Sequence, residues 1–401
     1  MSVTSSLSPH VKPQGLVDVL IAGAGVMGAA TAFWLTRLQP QLRVVLVERA
    51  PDFAQASSSL SASSIRQQFS SPVNIALSQF GAKFLREADD WLGPGSQAAL
   101  ALHEAGYLYL ARPEQAQALR QLQALQQSHG ADIALLEPEE LARRFAWLHT
   151  DDIALGSLGL SGEGWFDGPA LHQRLLQAAR RQGAELWHDE VRALEVDGQV
   201  LSAVTLRERG RVCPGLLVNA AGAWAARLSI PDRPALPIEA ARRSVFVLSC
   251  PEPLPGCPLI IDPSGFWLRP EGRYLITGRE PIDDAPDLPL DPDWREMDEG
   301  HWALLAHRIA ALQALRVERA WAGYYEMNRF DHNAFIGPHP TVRGYAVLAG
   351  FSGHGMQHAP GAGLAMAEWL LHGQPRSIDV QPLGLQRWLD QAPLREANVI
   401  G

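Results

Sequence analysis

Three glycines with Gly-x-Gly-x-x-Gly spacing, Gly23, Gly25 and Gly28, lie between an apolar segment, 17–22, and a segment of helical composition, 29–38. This order predicts a strand that turns directly into a helix. At such a turn the first glycine permits the tight bend and the second lets a diphosphate approach the backbone. The third glycine lets the helix pack closely against the strand.

A second apolar segment, 42–47, ends at Glu48 and completes a predicted β-α-β unit. A carboxylate at this position accepts hydrogen bonds from ribose hydroxyls and repels a 2′-phosphate. The backbone N–H groups of Val26 and Met27, in the first turn of the helix, favour an anion. The unit therefore predicts a dinucleotide site and disfavours NADP, but it does not separate FAD from NAD. A glycine-rich turn without a ligand is the alternative.

Composition excludes several other classes of protein. The formal net charge of −9 argues against a nucleic-acid partner, which needs a basic surface. The three cysteines form no Cys-x-x-Cys pair, so we expect no metal site and a reducing compartment. No run of eighteen apolar residues occurs, so we expect a cytoplasmic protein, with peripheral membrane association left open. Residues 1–14 are rich in serine and proline and are expected to form a flexible arm.

The order of the remaining segments predicts an α/β fold, α+β overall. Helices are expected at 72–91, 114–128, 138–145, 169–182 and 301–315. Residues 241–280 are rich in strands, and a last apolar strand, 345–349, leads into a glycine-rich loop and a helix ending at Leu371. The sequence thus predicts a Rossmann-like sheet built from discontinuous segments. A strand-rich unit with a mixed antiparallel sheet and flanking helices interrupts it.

Three more segments have the chemistry of a binding site. Residues 54–64 are crowded with serine and either offer hydroxyl and N–H groups to an anion or form a simple linker. Ala221 and Gly222 end an apolar strand, so the backbone there either passes close to a ligand or packs tightly. Residues 353–357 lie where a helix begins, and the helix N-terminus stabilises negative charge.

The whole chain after residue 15 resembles the glycine oxidase, sarcosine oxidase and D-amino-acid dehydrogenase (DAO) superfamily of FAD enzymes. Three stretches are most similar to the branch of FAD-dependent oxidoreductase domain-containing proteins: Ser57–Phe69, Trp321–Tyr325 and Gly350–Gln357. The run Leu217–Trp224, with Arg242-Arg243-Ser244, is similar to D-amino-acid dehydrogenases. These motifs indicate the superfamily and not a substrate.

The resemblance implies an FAD-binding domain made of 15–91, 151–240 and 321–390, and a substrate domain made of 92–150 and 241–320. The negative charge of reduced flavin would then lie near the helix that begins after His354. The residues expected to contact FAD are Gly23, Gly25, Val26, Met27, Gly28, Glu48, Arg49, Ser58, Ser59, Ser63, Ser64, Arg66, Val191, Ala221, Gly222, Gly353, His354, Gly355, Met356 and Gln357.

The substrate side is less well defined by the resemblance. D-amino-acid dehydrogenases carry a carboxylate-binding arginine where this chain has Tyr325, which leaves Arg66, Arg242 and Arg243 as the possible partners of a carboxylate. The alternative for Arg242 and Arg243 is a solvated pair. Aromatic residues such as Tyr324 could instead belong to the core, and His354 could have a structural role. The candidate catalytic residues are Tyr325, His354, Arg66, Arg242, Tyr274 and Gln357.

Two absences bear on the cofactor's chemistry. Residues 323–326 contain no cysteine and residues 54–69 no histidine, the positions at which relatives attach flavin, so non-covalent FAD is expected. Ile276 stands where monomeric sarcosine oxidases carry an oxygen-activating lysine. We therefore expect a dehydrogenase, with a quinone, an electron carrier or oxygen as the unknown acceptor.

The resemblance implies hydride transfer from the C–N bond of a small-molecule amine or amino acid to flavin N5, giving an imine that hydrolyses. Three alternatives stay open. The chain could oxidise the C–O bond of a 2-hydroxy acid, it could be a non-catalytic FAD-binding assembly factor, or it could be an NAD dehydrogenase.

Overall fold

The computed structural model describes residues 17–396, so the expected flexible arm at 1–14 lies outside the described residues. The strands are β1 (Val19–Ala22), β2 (Val44–Glu48), β3 (Ser64–Ile65), β4 (Tyr107–Ala111), β5 (Ile133–Leu136), β6 (Leu155–Gly159), β7 (Gly164–Trp165), β8 (Glu185–His188), β9 (Val191–Asp197), β10 (Val200–Leu206), β11 (Gly210–Val212), β12 (Leu216–Asn219), β13 (Ile238–Ser249), β14 (Leu259–Ile261), β15 (Phe266–Glu271), β16 (Tyr274–Arg279), β17 (Arg316–Asn328), β18 (Phe335–Pro338) and β19 (Tyr345–Ala349).

The α-helices are α1 (Val26–Leu38), α2 (Ser57–Leu60), α3 (Pro72–Arg86), α4 (Ala88–Leu92), α5 (Ser96–Leu100), α6 (Ala116–Ser128), α7 (Pro138–Arg144), α8 (Gly168–Arg181), α9 (Trp302–Arg308), α10 (Gly355–His372) and α11 (Gln386–Leu389). Two expected helices are broken in the structure. The expected helix 72–91 ends at Arg86 and restarts at Ala88, because Glu87 leaves the helical conformation. Residues 301–315 form only α9 and a short 3-10 turn, because Ile309 is extended.

A six-stranded sheet has the order β18-β19-β12-β1-β2-β8, and its neighbours are parallel except for the pair β18-β19. The central strands are apolar because both faces are covered: residues of β1 alternate between two separate hydrophobic clusters. Helices α1 and α10 pack on one of these faces. This is the Rossmann-like arrangement of discontinuous segments that the sequence predicts.

An eight-stranded mixed sheet has the order β17-β13-β16-β15-β14-β4-β6-β5. Only its pair β14-β4 is parallel. Its core contains side chains of these strands together with α7 and α9. The α/β fold class with a second, mixed and mainly antiparallel sheet is therefore confirmed.

Membership of the sheets differs from the expected domain ranges at three places, the smallest of which is the start of β13, residues 238–240. Strand β6 and residues 321–328 of β17 also lie in the eight-stranded sheet, although the sequence predicts both in the cofactor domain. Each pairs along its length with a neighbour in that sheet, β4 for β6 and β13 for β17. The domain limits themselves stay a prediction.

The topology brings three loops together. Strands β1, β12 and β19 are adjacent and parallel, so their carboxyl ends meet at one edge of the six-stranded sheet. The loops that leave this edge begin at Gly23, Ala220 and Gly350. In open α/β sheets, ligands bind outside the carboxyl ends of the strands.

Candidate functional site

The glycine turn has the tight geometry that its spacing predicts. Gly23 has φ +97, and a Cβ there would lie 2.4 Å from the carbonyl oxygen of Ala220. A Cβ on Gly28 would lie 2.0 Å from the oxygen of Gly23, so helix and strand are in direct backbone contact. Gly25 has open space, with Ser58 Oγ the nearest atom at 3.6 Å. Gly23 and Gly28 are thus required by packing, and Gly25 leaves room beside a cavity.

Glu48 fixes the shape of this turn. Its carboxylate accepts hydrogen bonds from the N–H groups of Ala24 (3.0 Å) and Ala50 (3.0 Å). On the other side, His172 Nε2 lies 2.7 Å from the oxygen of Ala24. Burial lowers the pKa of His172. Sequence reasoning missed His172, because α8 lies far along the chain and carries no motif.

We call the space beside this turn the glycine-turn cavity. Arg49 and Trp224 form one part of its wall, with the guanidinium carbon 3.9 Å from the ring centroid. The wall also includes the end of β2 and the start of β9. The predicted cofactor residues that line it are Gly23, Gly25, Val26, Met27, Glu48, Arg49, Ser58, Val191, Ala221 and Gly222.

The glycine-turn cavity is followed by a middle cavity, which shares Val26, Ser57, Ser58 and Glu326 with it. The predicted residues that line the middle cavity include Ser58, Arg243, Tyr325, Gly353, Gly355 and Met356. A third space, the Arg66 cavity, shares Tyr325 and Gly353 with the middle cavity. Its wall also contains Ser64, Arg66, His354 and Gln357. The shared lining residues place the three cavities next to one another in one row.

The closing loop contacts the opening segments directly. Gly353 has φ +93, and a Cβ there would lie 2.5 Å from Tyr325 Cε2. Gln357 Oε1 accepts a hydrogen bond from the backbone N–H of Arg66 at 2.8 Å. The closing loop and the segment around Arg66, which lie 291 positions apart in the chain, therefore meet at one site.

Arg66 is buried in a polar network. Its guanidinium hydrogen-bonds Tyr109 Oη and the oxygen of Gln68, and lies 4.2 Å from the ring centroid of Phe69. Nearby, Glu163 accepts hydrogen bonds from Gln67 N (2.5 Å) and Gln68 Nε2 (2.8 Å). Burial raises the pKa of Glu163 to about 7. Sequence reasoning missed Glu163, because it precedes a strand of only two residues and belongs to no motif.

His354 is held as a neutral ring. It is buried beside Arg66, and burial lowers its pKa well below the usual value. Its Nε2 has no hydrogen-bond partner among residues 17–396. Because the ring precedes the eighteen-residue helix α10, it lies next to that helix's unpaired N–H groups. A buried polar atom at a cavity wall is suited to a ligand that supplies its partner.

Glu326 lies where the glycine-turn and middle cavities join. It is half-buried, and Gly350 donates its N–H to Oε2 at 3.0 Å. Removal of solvent by the surrounding protein raises its pKa to about 7, against the opposing effect of two backbone hydrogen bonds. Sequence reasoning missed Glu326, although it follows directly on Tyr325 in a segment already singled out.

Five predicted contact residues do not line these three cavities: Gly28, Ser59, Ser63, Arg242 and Tyr274. Ser59 and Ser63 alternate with residues that do, and Arg242 and Tyr274 lie elsewhere on the eight-stranded sheet. Arg242 is bound to Asp293 at 3.1 Å, and Tyr274 packs in a small apolar cluster with Ile276. These placements argue against direct contact of Arg242 or Tyr274 with a ligand.

Arg279 is a cavity residue that the sequence analysis did not select. It lines the middle cavity, and its buried Nε has no hydrogen-bond partner among the described residues. Arg279 is the last residue of the strand that contains Ile276, a segment that the sequence had already singled out, so its position could have drawn attention to it. The middle cavity thus has two arginines, Arg243 and Arg279, on its wall.

One group outside the cavities has the chemistry of metal ligands. The ligand atoms of His149, Asp152 and His307 all lie within 4.8 Å of one another. However, Arg308 donates two hydrogen bonds to Asp152, at 2.8 and 3.0 Å. A cation there would compete with a guanidinium already in place. Within residues 17–396, no helix combines the length and apolar character needed to cross a membrane.

The donor set fits FAD. The glycine-turn cavity offers an open backbone face at Gly25 and a carboxylate at Glu48 for the ADP half. The buried Ser58 Oγ, which has no partner among residues 17–396, lies at the junction where the cofactor would continue into the middle cavity. The unpaired Nε2 of His354 and the start of α10 lie further along the row.

Comparison with known proteins agrees with this geometry. Residues 18–369 match the DAO family of FAD-dependent oxidoreductases. The chain is 36% identical to FAD-dependent oxidoreductase domain-containing protein 1 of Xenopus laevis, over 97% of this chain and 86% of that protein.

Two solved structures show the same fold. The chain is similar to L-proline dehydrogenase from P. horikoshii, with a TM-score of 0.83, 23% identity, and coverage of 96% of this chain and 100% of that one. It is also similar to glycine oxidase from Geobacillus kaustophilus, with a TM-score of 0.78, 24% identity, and coverage of 92% and 98%. The chain therefore belongs to the DAO family of FAD-dependent oxidoreductases.

Proposed function

We propose that this protein oxidises the C–N bond of an amine or amino acid, of the secondary-amine or D-amino-acid type, with non-covalent FAD. The observation that carries the proposal is the row of adjacent cavities. Its first part matches an ADP group and its second part has arginine and aromatic walls. L-proline dehydrogenase and glycine oxidase, which share the fold, are named for the oxidation of amino acids.

Bound FAD supplies the hydride acceptor, and the chain's own residues position the reactants. Arg243 and Arg279 place positive charge at the middle cavity, and Tyr325 and Trp267 provide its aromatic wall. The start of α10 and the neutral His354 place hydrogen-bond donors near the end of the row, where negative charge is stabilised. In this proposal the six-stranded sheet holds the cofactor and the eight-stranded sheet holds the substrate.

The mode of cofactor attachment is tested by acid precipitation. Residues 323–326 and 54–69 lack the cysteine and histidine that would bond the flavin. We expect the yellow colour to stay in the supernatant after precipitation. Colour in the protein pellet would contradict non-covalent binding.

The electron acceptor is tested by reoxidation. Ile276, which stands at the position of the oxygen-activating lysine, is buried in an apolar cluster with Val245 and Val247. We propose a dehydrogenase that reacts slowly with oxygen. Rapid reoxidation of the substrate-reduced protein by air, complete within the mixing time, would contradict this.

The reaction itself is tested by anaerobic mixing of the purified holoprotein with amines, amino acids and 2-hydroxy acids, followed by the flavin absorbance. We expect bleaching with a secondary amine or a D-amino acid. Bleaching by 2-hydroxy acids alone would assign a C–O bond instead, and no bleaching by any of them would count against an oxidoreductase of this class.

A further inference from the structure

A further cavity, which we call the Arg233 cavity, lies outside the row of three, between the connection 228–236, the β18–β19 hairpin and the end of α11. It shares Leu228 with the glycine-turn cavity and contains none of the residues predicted to contact FAD. Its buried floor consists of Leu228, Ile230, Leu236, His339 and Tyr345. Its rim, which is at least partly exposed, consists of Ser229, Arg233, Pro234, Trp388 and Leu389.

The walls of the Arg233 cavity are mostly apolar. Leu228, Ile230 and Leu236 belong to the hydrophobic cluster on one face of the six-stranded sheet, and Trp388 packs against that cluster. No acidic residue lines the cavity. Ligand sites commonly combine such apolar walls with a few polar groups that fix the orientation of the ligand. The chemistry of the ligand is therefore decided by the polar groups of this cavity.

Arg233 brings a positive charge to the rim without an acidic partner. Its Nη1 donates a hydrogen bond to Thr341 Oγ1, and it forms no ion pair with any of residues 17–396. The guanidinium carries further N–H groups in a planar fork. These groups remain available to an acceptor that enters the cavity.

His339 provides a second donor, deeper in the cavity. Its Nδ1 accepts a hydrogen bond from the N–H of Thr341 at 3.2 Å, so the neutral ring carries its proton on Nε2. Burial, together with the positive charge of Arg233, lowers the pKa of His339 to about 4, so the ring is neutral near pH 7. The residue is 6% exposed, and within residues 17–396 its Nε2 has no hydrogen-bond partner.

The remaining polar group of the floor, Tyr345, is already satisfied. Its ring centroid lies 5.9 Å from that of His339. Its hydroxyl accepts a hydrogen bond from Asn219 Nδ2 at 2.9 Å and donates one to the oxygen of Leu228 at 3.3 Å. The interior of the cavity therefore offers the N–H groups of Arg233 and His339, which a ligand can satisfy only with acceptor atoms.

We infer that the Arg233 cavity is a second ligand site, which binds a small monocarboxylate with an apolar body. The carboxylate accepts hydrogen bonds from Arg233 and from His339 Nε2, and an arginine fork matches its two oxygens. The apolar body contacts Ile230, Leu236 and Trp388. An inorganic anion would satisfy the donors but would leave these apolar walls uncovered.

The test measures the binding of hexanoate to the purified holoprotein by calorimetry, with acetate and hexanamide as matched ligands. Acetate keeps the carboxylate without the longer chain, and hexanamide keeps the chain without the charge. We expect hexanoate to bind at least roughly tenfold more tightly than either of them. We expect Arg233→Met to weaken the binding of hexanoate about tenfold and His339→Phe about fivefold.

Arg343→Met is the matched control, because Arg343 is exposed, lies close to Thr341 in the chain and lines none of the four cavities. We expect this variant to bind hexanoate as the wild type does. Retention of flavin absorbance shows that each variant has kept its cofactor and its fold.

A second pair of variants leaves both donors in place. Leu389 is 43% exposed at the rim, so a substitution there does not disturb the core. Leu389→Glu should weaken the binding of hexanoate about threefold, because the added carboxylate repels that of the ligand. Leu389→Gln has nearly the same shape without the charge, and it should bind hexanoate more tightly than Leu389→Glu.

Several results would overturn the inference. They are absence of hexanoate binding to the wild type, equal binding by Arg233→Met and Arg343→Met, and equal binding by Leu389→Glu and Leu389→Gln. Binding of acetate or hexanamide as tight as that of hexanoate would exclude the proposed class of ligand. If hexanoate changes the flavin absorbance and Arg233→Met binds it like the wild type, the ligand lies in the middle cavity and the inference is wrong. Binding at the Arg233 cavity is expected whether or not an amine bleaches the flavin, so this test is independent of the proposed reaction.

Discussion

The glycine-turn cavity and the middle cavity are neighbours, but they are built in different ways. The first is shaped mainly by backbone. Gly23 and Gly28 allow contacts that a Cβ would prevent, and the carboxylate of Glu48 accepts hydrogen bonds from the backbone N–H groups of Ala24 and Ala50. The second is shaped by side chains of distant segments, among them Arg243, Arg279 and Tyr325. Binding by backbone depends on a short local motif, whereas binding by side chains depends on how the two sheets meet.

The largest expected effect is at the glycine turn. Gly23→Ala should weaken FAD binding roughly 100-fold, because the Cβ would lie 2.4 Å from a carbonyl oxygen at a positive φ. The measurement is titration of apoprotein with FAD. Gly198→Ala is the control, since Gly198 also has positive φ (+59) but no atom within 4 Å of its Cβ. An equal loss of FAD affinity in both variants would mean that backbone strain at a positive φ, and not the shape of the glycine-turn cavity, sets the affinity.

The next effect concerns Glu326, at the junction of the two cavities. Its pKa of about 7 in the folded chain lies above its ordinary value of 4.5, so the folded state binds more protons in this window. The apoprotein's free energy of unfolding should therefore fall as pH rises from 4.5 to 7. In Glu326→Gln, the decrease in the free energy of unfolding between pH 5 and pH 8 should be smaller by about 1–2 kcal/mol. The measurement is urea unfolding at both pH values.

Glu163 provides the comparison for that experiment, because burial raises its pKa to about 7 as well. Glu163→Gln should likewise reduce the fall in the apoprotein's free energy of unfolding as pH rises. Only Glu326→Gln is expected to change FAD affinity, because Glu326 lines both cavities and Glu163 lines none of the three. An unchanged slope in Glu326→Gln would show that its carboxyl titrates normally.

A smaller effect is expected from the two candidate tyrosines. Tyr325 lines the middle and Arg66 cavities, whereas Tyr274 lies outside them. Tyr325→Phe should slow substrate-dependent flavin reduction about tenfold, because it removes one hydrogen-bonding hydroxyl from the site. Tyr274→Phe should react at the wild-type rate. A similar decrease in the two variants would mean that the reaction does not take place at the middle cavity.

The smallest effect separates two adjacent serines. Ser58 Oγ is buried without a partner among residues 17–396, and Ser59 does not line the cavities. Ser58→Ala should weaken FAD binding roughly fivefold and slightly raise the stability of the apoprotein, because an unpaired buried hydroxyl is lost. Ser59→Ala should change neither. A loss of apoprotein stability in Ser58→Ala would mean that its hydroxyl is satisfied within the protein.

The two cavities also differ in how far they could be predicted from the sequence. The β-α-β unit, its glycines and Glu48 follow from local spacing, because each residue acts on backbone within the same thirty residues. Arg242 and Arg243 could not be separated in this way, since adjacent residues on a strand point to opposite faces and only packing decides which face meets the cavity. Arg279, at the end of a strand, was missed for the same reason, whereas His172 lies on a helix that carries no motif.

The sequence by itself therefore determined the family, the nucleotide-binding turn and the mixed α/β class, because these depend on local patterns of glycine and apolar residues. Tertiary structure alone decided which charges meet: Asp284 with Arg243, Asp293 with Arg242, and Gln357 with the backbone of Arg66. These partners lie from 41 to 291 positions apart, and no local pattern specifies which carboxylate reaches which arginine. The physical reason is that ion pairs and hydrogen bonds depend on distance in space, which only the packing of the two sheets sets.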